Sequence, residues 1–135
     1  MKIYPLWISG IIAVVGSIIA NAIVDTLAFP YTGVPMDLMT FKVAGPVGMF
    51  TFIGAVGAVI VFAILRRFAK KPNRTFMWTA IIVLLISFIP DIFVNQIPGF
   101  PYVTTAGIVL LMALHVVCAV ITVSVLTKLT KPVLR

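Results

Sequence analysis

Four long apolar runs occupy most of this chain of 135 residues. A membrane-spanning helix needs about 20 predominantly apolar residues, because a helix satisfies its own backbone hydrogen bonds across the hydrocarbon. The runs predict four such helices, over residues of about 6–29, 46–66, 75–97 and 104–127. The expected fold is all-α, an up-down-up-down bundle of four transmembrane helices that forms a single domain over residues 1–135.

The overall composition also places the chain in lipid. Hydrophobic residues make up 62% of the sequence and charged residues 10%, whereas a soluble domain has about 45–50% and roughly 25%. A water-soluble fold of this size would leave too much apolar surface exposed. The net charge of +7 does not indicate nucleic acid, because the bases lie mostly at the ends of the apolar runs, where they set topology. The lipid bilayer is therefore the expected partner, and nucleic acid is not.

The basic residues are divided unevenly between the two ends of the predicted bundle. With four crossings, nine of the ten bases fall at the end that holds both termini, and Lys42 falls at the other. Positively charged connections stay cytoplasmic, so we expect both termini in the cytoplasm and the chain in the plasma (inner) membrane. The three acids, Asp25, Asp37 and Asp91, all lie in or toward the opposite half.

Each predicted helix has one face of small and polar residues that suits the interior of a bundle. Small residues let helix backbones approach closely in lipid, and polar side chains form hydrogen bonds between helices. Residues three, four and seven apart share a helix face. In chain order the four faces are Gly10, Ser17, Asn21 and Ala28; Gly48, Thr51, Ala55 and Ala58; Ala80, Ser87 and Asp91; and Thr104, Leu111, His115 and Thr122.

Ionisable residues inside the predicted spans are the candidates for function, because such groups are costly in hydrocarbon. His115 lies about 16 Å into the fourth run, near the bilayer centre, and Asp91 lies about 9 Å from the outer end of the third. These two residues could form a proton relay or a ligand site, surrounded by Ser87, Asn21 and Asp25. The simpler interpretation is that His115 locks the bundle by a hydrogen bond to a neighbouring helix, and that Asp25 touches water at a helix end.

The motifs of several enzyme classes are missing from the sequence. A single cysteine, Cys118, and a single histidine exclude a paired-cysteine redox motif, a two-histidine haem and the usual metal-ligand spacing. There is no phosphate-binding glycine loop. Ser87, His115 and Asp91 could form a Ser–His–Asp set, but nothing marks an oxyanion hole. We therefore expect no enzyme activity, no cofactor and no metal.

Three segments occur together in this chain: a basic connection over residues 65–72, a leucine-containing helix that ends in proline over 81–90, and a histidine-containing element over 111–117. With these segments the chain resembles a family of small bacterial four-helix membrane proteins of uncharacterised function. The resemblance covers nearly the whole chain, and it implies the four-helix architecture but no activity. The small multidrug transporters also have four helices, but they rely on a glutamate in the first, and this chain has no glutamate.

Packing features are abundant in the sequence and catalytic constellations are missing. This contrast favours a non-enzymatic polytopic membrane protein, either an accessory subunit or a bundle that binds a small ligand. The alternative is a proton-coupled small transporter or channel-like oligomer that uses Asp91 and His115. Either function is compatible with a homodimer or a larger membrane complex.

Overall fold

Four long helices dominate the computed structural model, which describes residues 3–33, 45–96 and 103–132. All four are long and apolar enough to cross a membrane, so the predicted all-α fold with four spans is confirmed. Two short 3₁₀ turns, Phe29–Tyr31 and Val94–Gln96, follow the first and third helices. The helices are α1 (Leu6–Ala28), α2 (Pro46–Phe68), α3 (Pro72–Ile92) and α4 (Thr105–Leu129).

Proline and threonine mark where three of the helices begin. Pro46 and Pro72 occupy the first positions of α2 and α3, where no intrahelical acceptor exists for an N–H and none is lost. The Thr104 hydroxyl accepts a hydrogen bond from the Gly107 N–H at 3.1 Å and so caps α4. Because Pro72 suits a first turn, α3 begins three residues before the predicted start at Thr75.

The end of α3 differs most from the prediction. The helix was expected to reach residue 97, but it ends at Ile92. Asn95 then bonds twice to the backbone of Val103: its Nδ2 donates to the carbonyl at 2.8 Å, and the Val103 N–H donates to its Oδ1 at 2.6 Å. These bonds hold the chain in a turn where hydropathy alone predicts further helix. Ile97 itself lies outside the described residues.

Two apolar clusters fill the bundle at different depths. α1 packs against α4 and α2, α3 packs against α4 and α2, and α2 also touches α4 across the bundle. One cluster lies near the two connections α1–α2 and α3–α4, and the other lies near the α2–α3 connection, where Phe62 and Phe76 have ring centroids 4.9 Å apart. The first contains Phe29, Val47, Val94, Val103, Leu110 and Leu114, and the second contains Ala13, Phe62, Phe76 and Leu126.

The segments before α1 and after α4 pair with each other at one end of the bundle. The Tyr4 N–H donates to the Leu129 carbonyl at 2.7 Å, and the Lys131 N–H donates to the Tyr4 carbonyl at 2.9 Å. The last turn of α2 joins this end through Arg66, which donates to the Lys131 carbonyl at 2.7 Å. We call it the basic end, because the described bases gather there: Arg66, Arg67, Lys70, Lys71, Arg74, Lys128 and Lys131.

The outer surface of the bundle is apolar along the length of the helices. Large hydrophobic side chains are exposed on every helix, and on α3 only Phe76 and Asp91 are buried. Exposure of such a surface to water would be unfavourable, whereas its contact with the hydrocarbon of a bilayer is not. The chain is a multi-pass membrane protein.

Candidate functional site

His115 of α4 and Asp91 of α3 are in direct contact. The His115 Nδ1 lies 3.1 Å from the Asp91 Oδ2 and 2.9 Å from the Leu111 carbonyl oxygen, one turn away on its own helix. A carboxylate oxygen and a carbonyl oxygen are both acceptors, so Nδ1 must carry the hydrogen. The imidazole is therefore either the neutral Nδ1–H tautomer or the imidazolium.

The direction of side chains on antiparallel helices explains why these two residues meet. Asn73 at the start of α3 donates to the Thr127 carbonyl near the end of α4 at 3.2 Å, so these positions are level. At 1.5 Å per residue, Asp91 lies about 27 Å beyond Asn73, whereas His115 lies about 18 Å beyond Thr127. Each Cα–Cβ bond tilts toward the N-terminus of its own helix, so the two side chains lean toward each other across the offset of about 9 Å.

His115 lies at the edge of the buried face of α4 rather than at its centre. At this level the most buried residues of α4 are Leu110 and Leu114, so the buried face is offset by one position from the predicted Leu111–His115 face. The side chain of His115 keeps 38% of its surface exposed, compared with 10% for Asp91. Among the described residues, its Nε2 has no hydrogen-bond partner.

A second polar group lies between α1 and α2. The Asn21 Nδ2 donates to the Thr51 Oγ1 at 2.9 Å, and both side chains are buried. Asp25 lies one turn further along the same face, in the last turn of α1. It is buried, whereas the simpler interpretation expected it to touch water. The sequence placed Thr51 on the packing face of the second helix but did not single it out, although its position opposite a helix with buried Asn was a usable signal.

The five candidate residues lie on three helices, α1, α3 and α4. Asp91 and His115 join α3 to α4, whereas Asn21 and Asp25 belong to α1. The Ser87 hydroxyl donates to the Leu84 carbonyl of its own helix at 2.7 Å, so it lies one turn from Asp91 without bonding to it. The described contacts are thus one between Asp91 and His115 and another between Asn21 and Thr51.

Contacts between α1 and α4 are built from small residues. Ser17 is fully buried and lies beside the Cys118 thiol, yet its hydroxyl has no hydrogen bond of ordinary geometry within the described residues. A thiol is a weak donor and a weak acceptor, so we treat the pair as a packing contact. Cys118 behaves here as a small hydrophobic residue.

Within residues 3–33, 45–96 and 103–132, no three His, Cys, Asp or Glu side chains come close enough together to hold a metal ion. The His115–Asp91 contact therefore provides two ligating groups at most from this part of the chain. Its evident chemistry is the holding or transfer of a proton between imidazole and carboxylate.

Both polar groups and the basic end lie within the range matched by one family model. The model is that of a family of unknown function, DUF6069, and it matches residues 2–131. The chain belongs to the DUF6069 family. No curated protein and no solved structure matches it. Membership confirms the resemblance to a family of uncharacterised function, and this DUF6069 chain takes its architecture from four apolar helices.

Proposed function

We propose that this chain is a non-enzymatic accessory subunit of a membrane complex, and that it contacts a transmembrane helix of another protein through the surface around His115. The observation that carries this proposal is the exposure of His115 halfway along α4. By contrast, Ser17 and Asn21, which lie at similar depth on α1, are buried inside the bundle. An imidazole nitrogen without a partner in hydrocarbon costs free energy, which a partner's hydrogen-bond donor would recover.

The chemistry of the imidazole indicates what the partner offers. In the neutral Nδ1–H tautomer, Nε2 is an acceptor, so a hydroxyl or amide N–H on the partner helix would satisfy it. A second copy docked with His115 on the two-fold axis would bring acceptor against acceptor, because a residue on that axis meets itself. This mismatch disfavours a homodimer of that geometry and leaves a different protein as the proposed partner.

The apolar surface next to His115 suits a helix-in-membrane contact. Val116 and Val120 are exposed on α4 beside it, and α3 presents a nearly continuous apolar face. A partner helix in this position would meet aliphatic side chains around one polar anchor. Helices in lipid associate through this combination of close packing and a few hydrogen bonds.

The test uses a photo-crosslinking amino acid at Val116, with a control at Ile19 on α1. Both positions are exposed and lie at similar distances from the Tyr4–Thr130 pair, so they sample similar depths. We expect stoichiometric recovery of one protein in mild detergent, crosslinked from Val116 but not from Ile19, through a transmembrane segment with a hydroxyl or amide side chain. His115→Phe should weaken this recovery.

Three outcomes would overturn the accessory role. Recovery of the chain alone in repeated mild purifications would show that no stable partner exists. Equal crosslinking from Val116 and Ile19 would show contact without a defined surface. A product containing two copies of this chain would replace the accessory subunit with a homodimer.

The contact between His115 and Asp91 also supports a second candidate, a proton-coupled transporter or channel-like oligomer. An imidazole and a carboxylate 3.1 Å apart at membrane depth are the groups from which proton relays are built. Proton flux in proteoliposomes would distinguish this function. Flux in the wild type that falls in Asp91→Asn would favour it, and flux equal to that of empty liposomes in both would exclude it.

We also propose that the basic end faces the cytoplasm of a cell whose plasma membrane holds the chain. The support is the positive-inside distribution of the described bases, all of which lie at one end. Single-cysteine variants Lys70→Cys and Tyr31→Cys, in a Cys118→Ala background, test the orientation because both positions are exposed. A membrane-impermeant maleimide applied to intact cells should label Tyr31→Cys and not Lys70→Cys, and the reverse pattern would invert the assignment.

A further inference from the structure

A groove at the basic end is lined by Lys70, Lys71, Arg74, Thr75 and Trp78. These residues come from the α2–α3 connection and the first two turns of α3. We propose that the groove binds the head group of one anionic phospholipid, with its phosphate held by the three bases. The inference is independent of the accessory role, since it concerns the opposite part of α3 from Asp91.

The charge of this groove is not balanced by acids among the described residues. Lys70, Lys71 and Arg74 form no ion pair within the described part of the chain, where the acids Asp25 and Asp91 lie in the half away from the basic end. Arg66, by contrast, donates to the Lys131 carbonyl and lies over the Phe62 ring. The groove bases are therefore available to an external anion.

The backbone adds donors to the same place. α3 begins after Lys71 without a side-chain cap, so the N–H groups of Asn73 and Arg74 in its first turn have no acceptor within the helix. The positive end of the helix dipole also favours an anion at this position. The Thr75 hydroxyl donates to the Lys71 carbonyl at 3.1 Å, which holds the first turn in shape beneath the bases.

The depth of the groove indicates a lipid rather than a free anion. Lys71 and Trp78 are seven residues apart, or about 10 Å along the helix, and the head-group layer of one leaflet is about 5–7 Å thick. A phosphate at the bases would thus place the glycerol near Trp78, and tryptophan is favoured at this interface. Beyond it, Ile81 and Ile82 are exposed along the path of an acyl chain.

The experiment compares two double variants that remove equal charge from the basic end. Lys70→Gln/Lys71→Gln alters the groove, and Lys128→Gln/Lys131→Gln alters exposed bases outside it. Native mass spectrometry of the full chain in detergent measures the dissociation constant for phosphatidylglycerol, for phosphatidylcholine with the same acyl chains, and for inorganic phosphate. Each Lys or Arg near an anionic lipid surface contributes about 1 kcal/mol to binding, which is about five-fold in affinity.

We expect the wild type to prefer phosphatidylglycerol, the groove variant to lose at least about ten-fold and the control less than about three-fold. Trp78→Leu should weaken the lipid but not inorganic phosphate. Equal losses in the two double variants would reduce the effect to general surface charge and overturn the site. Equal binding of both lipids would overturn it as well, and inorganic phosphate bound as tightly as the lipid would replace it with a free-anion site. If the groove variant does not fold, Arg74→Gln against Lys128→Gln gives the same comparison.

Discussion

The amide of Asn21 and the hydroxyl of Thr51 connect α1 to α2 by a hydrogen bond of 2.9 Å, with both side chains buried. The two residues lie thirty positions apart in the sequence, so the bond fixes how the two helices are rotated and how far each is inserted relative to the other. Hydrogen bonds between membrane helices stabilise them by about 0.6 kcal/mol on average and up to about 1–2.

A double-mutant cycle measures this bond. Asn21→Leu and Thr51→Val keep the side-chain volumes and remove the polar atoms, and we expect a coupling of about 0.5–1.5 kcal/mol in reversible unfolding in mixed micelles. In the control cycle, Thr122→Val takes the place of Thr51→Val, and we expect no coupling with Asn21→Leu. The Thr122 hydroxyl bonds only to carbonyls of its own helix, at 2.8 and 3.1 Å. Additive losses from Asn21→Leu and Thr51→Val would show that the bond contributes nothing.

The approach of α1 to α2 at Gly10 gives a second prediction. A Cβ at Gly10 would lie 3.0 Å from a methyl carbon of Val59, whereas one at Gly54 would meet nothing within 4 Å. Gly10→Ala should therefore destabilise the protein by about 1–3 kcal/mol through overpacking, while Gly54→Ala is neutral or stabilising because alanine favours helix. Thermal unfolding in detergent compares them.

Removal of the Val59 methyl groups tests whether overpacking explains the effect of Gly10→Ala. In the Gly10→Ala/Val59→Ala double variant the methyl groups of Val59 are gone. The decrease in its thermal midpoint should therefore be smaller than the sum of the decreases in the two single variants. A purely additive result, or an equal loss from Gly54→Ala, would contradict close packing at Gly10.

The two hydrogen bonds between Asn95 and Val103 predict a local effect on the α3–α4 connection. Asn95→Ala removes both and should cost about 1–3 kcal/mol, with faster hydrogen exchange at the Val103 amide, which donates to the Asn95 Oδ1. Gln96→Ala, at an exposed neighbour, should leave this amide protected. Unchanged exchange in Asn95→Ala would mean that the connection is held by other contacts.

The protonation of His115 follows from its neighbours. Nδ1 faces two acceptors, the Asp91 carboxylate and the Leu111 carbonyl, so ¹⁵N NMR of the labelled protein in lipid should show a protonated Nδ1. In Asp91→Ala the Leu111 carbonyl remains, so the Nδ1–H should persist with a changed chemical shift. A spectrum in which only Nε2 is protonated would contradict the observed contacts.

Hydropathy was sufficient to predict the four spans. Each is an apolar run of about 20 residues, and in lipid such a run must be helical because only a helix satisfies the hydrogen bonds of its own backbone. The ends of the helices were harder to predict from the sequence. The end of α3 at Ile92 depends on the bonds between Asn95 and Val103, which join residues on either side of a connection. Periodicity within one segment contains no information about such a bond.

The contact between Asp91 and His115 could be hypothesised from the sequence, because the positions of the two residues on antiparallel helices place them at neighbouring depths. The rotation of α4 could not be predicted in the same way. It is set by the packing of Leu110 and Leu114 in a cluster with Phe29, Val47 and Val94, which come from three other parts of the chain. That rotation leaves His115 partly exposed.

The pairing of Tyr4 with residues 129–131 has a consequence for biosynthesis. α1 precedes the other three helices in this chain, yet its most extensive neighbour, α4, is synthesised after α2 and α3. Until α4 has been inserted, Ser17 and the small residues around it have lipid where they later have a helix. The contacts between α1 and α4 can therefore form only after residues 105–131 have been translated, whereas the α2 partner of the Asn21–Thr51 bond is synthesised earlier.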